Sequence, residues 1–320
     1  MSTSPLLSRY YSFFACGDAV GKATEFMTPQ DIKSVFGHIT SMPDIAKSIT
    51  HGDLPQYSVT DDTEQNLWLL RRYLKDGDVT IGNTVDELLK WIDGTDAVGK
   101  HYIGPSSLKA LQGIQNGEDP LKAGINGTTC GGIMRVPAAV FASRLLKLDM
   151  DRCIYNALVC THNNSIALES AYAYAYALSY ALDKPGCSVK ELLDKAKEGC
   201  RTGLSKAPWI SAGASLLDRL IFIEKLALRK NDEEAFKLFL YGVMGTGLPS
   251  YETAGAVFAL LLYSDDPVRI IFLASELGGD TDTIGALACS LAAMRNTEAK
   301  LPEEIEKPVL EYNRITEYLR

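Results

Sequence analysis

Ser165-Ile166-Ala167-Leu168-Glu169-Ser170-Ala171-Tyr172-Ala173-Tyr174-Ala175-Tyr176-Ala177-Leu178-Ser179-Tyr180-Ala181-Leu182 has no proline, no glycine and a single charged residue. Alanine and leucine favour a helix. Tyrosines 172, 174, 176 and 180 alternate with alanines, so apolar groups fall on every face. A helix apolar all round is buried by neighbours on several sides. Glu169 and the interspersed Ser and Tyr set it apart from a bilayer span, which needs about 20 apolar residues. It reads as the central helix of a buried core.

Outward from it, helical pattern recurs over Thr63–Leu74, Asp86–Trp91, Ile133–Leu148, Arg152–Cys160, Val189–Gly199, Ala212–Arg229, Glu233–Leu240, Ser250–Tyr263, Pro267–Leu277, Thr283–Met294 and Pro308–Tyr318. Sustained alternation of β-branched residues is nearly absent. The fold class is therefore all-α, a compact orthogonal helical bundle. No linker, charge block or repeat divides residues 1–320, which read as one domain. Met27–Gln56, Gly94–Ser107, Gly124–Gly132 and the region of Pro249 read as irregular, where binding groups tend to sit.

The chain has 320 residues, 46% hydrophobic, with a formal net charge of -8. A core large enough to hold a buried site is available. The acidic balance and the lack of a dense Lys/Arg run argue against a nucleic-acid partner. No apolar segment suits a membrane, and Met1–Leu7 lacks the pattern of a signal peptide. The seven cysteines are scattered without a C-x-x-C pair, which fits reduced thiols in a cytoplasmic protein. Oligomeric state is not legible.

Two acidic clusters carry the chemistry: Thr60-Asp61-Asp62-Thr63 and Gly278-Gly279-Asp280-Thr281-Asp282-Thr283. Each sits where a loop meets a helix start, and each offers only hard oxygen ligands, which suit Mg²⁺, Mn²⁺ or Ca²⁺. Helix capping is the competing reading, and Asp61 with Glu64 fits a capping box. Capping needs one such residue rather than several, and the same unusual solution occurs twice. Gly278-Gly279 would let the backbone turn Asp280 and Asp282 inward. Were the four aspartates to converge, their mutual repulsion would call for divalent cations. Asp280–Ile284 also resembles the nucleophile loop of haloacid-dehalogenase-type phosphatases, but a helix end precedes it, not a strand. Gly17–Lys22 is one residue short of a phosphate-binding P-loop and has Ala23 in place of Ser/Thr.

These clusters, with Gly17-Asp18-Ala19-Val20-Gly21 and Glu25, resemble the ADP-ribosylglycohydrolase family. The ordered match includes Gly104-Pro105-Ser106, Cys130–Arg135, Thr161-His162 and Tyr251-Glu252-Thr253. The resemblance implies a dinuclear Mg²⁺ or Mn²⁺ site in a central cleft, with Thr60, Asp61, Asp62, Asp280, Asp282 and Thr283 as ligands. It implies hydrolysis of the glycosidic bond between ADP-ribose and an acceptor, either a protein side chain or a small molecule. Glu25, Asp61 and Asp282 would be catalytic, Glu25 positioning water or substrate or acting as acid or base. Asn126, Gly127, Cys130, Gly131, Gly132, Met134 and Arg135 look like the family's phosphate and ribose loop, and His162 like its histidine near the nucleotide. Arg135 equally suits a structural pairing with a helix end, and His162 alone would suit a core histidine. Where arginine-specific bacterial members carry an aspartate ahead of the glycine, this chain has Tyr102-Ile103, so the acceptor stays open. An N-glycosidase on a small nucleoside and a non-catalytic ADP-ribose binder are the alternatives. The intact acidic boxes weigh against the second.

Overall fold

The computed structural model describes residues 5–100, 103–226 and 232–319. Seventeen α-helices occur among them, with no strand and a single isolated bridge between Thr129 and Pro249. In chain order they are α1 (Pro5–Gly21), α2 (Pro29–Phe36), α3 (Asp61–Asp76), α4 (Ile81–Thr95), α5 (Pro105–Gln115), α6 (Pro120–Ala123), α7 (Val136–Leu146) and α8 (Met150–Leu158). There follow α9 (Ser165–Asp183), α10 (Val189–Lys206), α11 (Leu216–Lys225), α12 (Glu233–Phe239), α13 (Ser250–Tyr263), α14 (Pro267–Ser275), α15 (Thr281–Arg295), α16 (Glu303–Tyr312) and α17 (Ile315–Tyr318). The all-α class expected from the sequence is what the chain adopts. No helix among the described residues is long and apolar enough to cross a membrane, and all seven cysteines are buried free thiols.

Several boundaries differ from the sequence reading. α1 was not expected, and α2 lies inside the stretch read as irregular. A 3-10 turn, Ile133–Arg135, precedes α7 where one continuous helix was expected. Pro308 lies within α16 instead of starting a helix. Tyr102 and the end of the helix expected to reach Arg229 lie outside the described residues.

The core is built from α1, α9, α13 and α15, each buried over most of its length. The tyrosines of α9 each find a hydroxyl partner. Tyr174 Oη donates to Leu287 O (2.9 Å) on α15 and lies 2.7 Å from Tyr10 Oη on α1. Tyr172 Oη donates to Asp151 O (2.7 Å), Tyr176 Oη to Asp151 Oδ1 (3.0 Å) and Tyr180 Oη to Glu191 Oε1 (3.0 Å). Partnered hydroxyls let large aromatic side chains be buried without stranding a polar group.

α1 and α15 approach so closely that only glycine fits between them. A Cβ on Gly21 would lie 2.4 Å from Thr281 O and 2.6 Å from Asp282 Cα. Gly17 faces Gly285 in the same way, at 2.7 Å. This contact sets the C-terminal end of α1 beside the N-terminal end of α15.

Candidate metal centre and active site

Thr60 is the N-cap of α3, its hydroxyl accepting from Asp62 N (3.3 Å). Asp61 is thus the first helical residue, not a cap, and the capping box considered for Asp61 and Glu64 does not form. Glu64 instead accepts from Trp91 Nε1 (2.8 Å). Further donors at this helix end are met from α1: Asp18 accepts from Thr60 N (2.9 Å), Thr63 N (3.1 Å) and Thr63 Oγ1 (2.6 Å). Capping therefore leaves Asp61 and Asp62 over.

At the second cluster Gly278 and Gly279 have φ of +76° and +79°, a left-handed pair that suits glycine. Their turn is clamped on both sides. Phe26 N donates to Gly279 O (2.7 Å), and Asp280 N donates to Thr246 O (2.7 Å). Asp280 is the residue before α15, yet its side chain caps nothing. Its Oδ2 accepts from Thr253 Oγ1 (2.9 Å).

The two clusters meet. Thr283 Oγ1 donates to Asp62 Oδ2 (3.3 Å) across the gap between α15 and α3, and Thr60 Oγ1 reaches the same oxygen at 3.4 Å. Oxygens of Glu25, Asp280 and Asp282 lie within 4.8 Å of one another. Asp62 Oδ1 and Asp282 Oδ1 are buried and have no partner. Burial, then the charges of Asp282, Asp61, Asp18 and Asp280, push the Asp62 carboxyl well above its ordinary range. Burial, then Asp280, Asp18 and Asp61, do the same to Asp282. A donor set of hard oxygens, two of them orphaned in the interior, fits a divalent cation.

All six expected ligands, Thr60, Asp61, Asp62, Asp280, Asp282 and Thr283, line one cavity of about 390 Å³, with Glu25. Glu25 contacts His51 Nε2 through Oε2. Burial, then Asp282 and Asp280, raises the Glu25 carboxyl well above the carboxylate range, while burial and Lys22 lower His51 to about 4. Both shifts run toward the neutral form, the direction burial imposes on a carboxyl and an imidazole out of water. Phe26, next to Glu25, has φ +61° and is 54% exposed at the cavity wall. The left-handed φ strains the backbone, and the half-exposed ring gains little from burial in return.

Of the expected substrate residues, Cys130, Gly131 and Met134 line the cavity. Asn126 and Gly127 face a neighbouring groove with Ser106, Lys109 and Lys122. Gly132, Arg135 and His162 lie beneath the wall, Arg135 and His162 with no exposed surface.

The ADP-ribosylglycohydrolase family profile matches residues 13–320. The chain belongs to that family. As a member of that family it is a glycohydrolase-type enzyme in general outline. It is 31% identical over 297 residues to "Uncharacterized protein YegU" of Escherichia coli (strain K12), covering 91% of this chain and 87% of that one. It is 27% identical over 275 residues to an "Uncharacterized protein" of Archaeoglobus fulgidus, covering 85% and 82%. A solved structure, "ADP-ribosylglycohydrolase-related protein complex", superposes with a TM-score of 0.65 over 97% of this chain and 98% of that chain, at 24% identity, and speaks for the fold.

Four residues of this family member escaped the sequence reading as site residues. Asp18 and Thr253 stood inside quoted boxes with no role assigned. Lys22 is buried and donates to Pro55 O (2.9 Å), Ser58 O (2.6 Å) and Ser58 Oγ (2.8 Å), holding the loop that leads to Thr60. Only His51 had no local signal at all: it lies in an irregular stretch, and the chain's fold alone brings it to Glu25.

Proposed function

We propose that the protein hydrolyses the glycosidic bond between ADP-ribose and an acceptor, using two Mg²⁺ or Mn²⁺ ions held by Thr60, Asp61, Asp62, Asp280, Asp282 and Thr283. The observation that carries this reading is the pair of orphaned buried oxygens, Asp62 Oδ1 and Asp282 Oδ1, one from each acidic cluster, on residues that line one cavity. Unpaired buried carboxylates are costly unless a cation is bound. When bound, such ions supply Lewis-acid polarisation of ribose hydroxyls and lower the pKa of water toward neutrality.

The chain's own groups do the rest. Asp18 and Lys22 hold α3 and its leading loop from α1, so Asp61 and Asp62 arrive pre-aimed. Gly278 and Gly279 place Asp280 and Asp282 opposite them. Glu25, backed by His51, stands at the edge of the cluster, where its carboxyl orients the attacking water or gives its proton to the departing acceptor. Cys130, Gly131 and Met134 form the wall for the nucleotide side of the substrate. We further propose that residues 1–320 act as one domain, since the site draws on both α1 and α15.

Defined ADP-ribosyl linkages to arginine and serine peptides, alongside free nucleosides, should be incubated with purified protein and Mg²⁺ or Mn²⁺. Release of ADP-ribose by the wild type and none by Asp61→Asn is the expected result. Undiminished turnover by Asp61→Asn would end this assignment.

A further inference from the structure

Among the described residues that line the cavity, Phe26 is the only phenylalanine, tyrosine or tryptophan. Its neighbours in the chain turn inward. Glu25 is buried at the cavity wall, and Met27 is buried in the small apolar cluster with Ile32 and Ile39. Phe26 belongs to neither apolar cluster of the protein. Its backbone is pinned on both sides, because Phe26 N donates to Gly279 O and Gly279 N donates to Met27 O (3.1 Å). The chain cannot relax φ at this point without losing that clamp. The other positive-φ residues of the clamp, Gly278 and Gly279, are glycines, and glycine would serve at position 26 as well. A phenylalanine held there under strain, with its ring in water, calls for a ligand that covers the ring.

Position says which part of the substrate that is. Glu25 serves the departing acceptor, whereas Cys130, Gly131 and Met134 wall the nucleotide side. A ring one residue from Glu25 therefore meets the acceptor. The stretch Thr50–Leu54 lies against the same place: Thr50 Oγ1 donates to Glu25 O (2.8 Å), and His51 contacts the Glu25 carboxyl. From this stretch Asp53 reaches the cavity wall, exposed and with no hydrogen bond or ion pair among the described residues. An aromatic face attracts a cation, and a flat cation also stacks on it. A carboxylate with free lone pairs takes the N–H groups of such a cation.

We propose that Phe26 and Asp53 are specificity-determining residues that bind the acceptor, and that the acceptor is a flat, positively charged nitrogen group. The proposal rests on the glycohydrolase reading of the site. A guanidinium and a pyridinium share this chemistry. An acceptor linked through an aliphatic hydroxyl has neither the plane nor the charge, and gains nothing from either residue.

NMR titration of the Mg²⁺-loaded protein with methylguanidine, butylammonium, 1-methylnicotinamide and nicotinamide tests this. Butylammonium has the charge of methylguanidine without the plane, and nicotinamide has the plane of 1-methylnicotinamide without the charge. At least one flat cation should bind more tightly than its counterpart, and which one does so identifies the source as a side-chain guanidinium or a ring cation. Phe26→Leu keeps an apolar side chain at the same φ but has no π face. It should melt with the wild type and weaken the bound cation about two- to five-fold, the range for a cation over an exposed ring. Phe26→Tyr should restore the affinity. Asp53→Asn, at an exposed position, should weaken the same cation by up to about five-fold, as for an exposed ion pair. The proposal is overturned if neither flat cation outbinds its counterpart on the wild type, or if Phe26→Leu binds the cation as the wild type does. These probes need no turnover. Failure to release ADP-ribose from any linkage would sink the functional reading, while cation binding that depends on Phe26 would still uphold the site.

Discussion

Glu25, Asp280 and Asp282 on the cavity wall, and His38, Glu233 and Glu276 beside α2, each bring three ligand-type atoms within 4.8 Å of one another. The second group is already neutralised. Lys237 Nζ sits 2.7 Å from Glu276 Oε2 and 2.5 Å from Glu234 Oε1, and Glu276 Oε1 accepts from Ile39 N (2.6 Å). In the first region Asp282 Oδ1 and nearby Asp62 Oδ1 are left without a partner. Carboxylate proximity alone does not make a cation site. What distinguishes the cavity cluster is that the fold supplies carboxylates, hydroxyls and shape there but leaves two buried oxygens unsatisfied.

The comparison breaks most sharply at Asp282. Asp282→Asn should abolish Mg²⁺ binding by calorimetry and cut hydrolysis by at least about 1,000-fold, as expected when a group acting at the reacting centre is lost. Retained Mg²⁺ affinity would put the two clusters on the same footing. Next in size, Lys237→Met should cost about 3 kcal/mol in urea unfolding, because it strands the buried charge of Glu276. Its Mg²⁺ affinity should stay at the wild-type value. Gly21→Ala should cost about 2 kcal/mol by overpacking against Thr281 and Asp282, and should weaken Mg²⁺ binding by moving the start of α15.

The pH response should separate the clusters too. Burial and mutual repulsion raise Asp62, Asp282 and Glu25 in the cation-free fold. The native state then holds protons that the unfolded chain has released, so stability falls as pH rises from the ordinary carboxylate range through the raised values. The slope is up to about 1.4 kcal/mol per pH unit for each group. Thermal melts in chelator from pH 4 to 7, repeated with excess Mg²⁺, should show the decline and its removal. A flat profile in chelator would mean the carboxylates are already compensated. Smallest of all, Phe26→Gly should raise unfolding stability by less than about 1 kcal/mol, since glycine relieves the φ of +61°, with no change at the Lys237 cluster.

The sequence disclosed the helical class and the hard-oxygen clusters because both are local: composition for one, adjacent aspartates at helix starts for the other. It hid α1, whose buried residues surround the whole helix from Tyr10 to Gly21 and leave no amphipathic stripe to read. His51 was invisible because its contact with Glu25 spans a separation of 26 residues, with α2 in between, and no sequence pattern pairs the two. His162 and Arg135 carried a visible motif, but their depth below the wall is a tertiary fact that no spacing encodes.

The interlock of Gly17 and Gly21 with Gly285 and Thr281 has a consequence for biosynthesis. α1 leaves the ribosome before its partner α15, which follows some 260 residues later, the separation between Gly21 and Thr281. Until then the aspartates of α3 have nothing opposite them, and most of α1 has no lasting cover. Early segments of such a chain wait with apolar surface uncovered, so catalytic competence should arrive in one late step of translation and not grow with chain length.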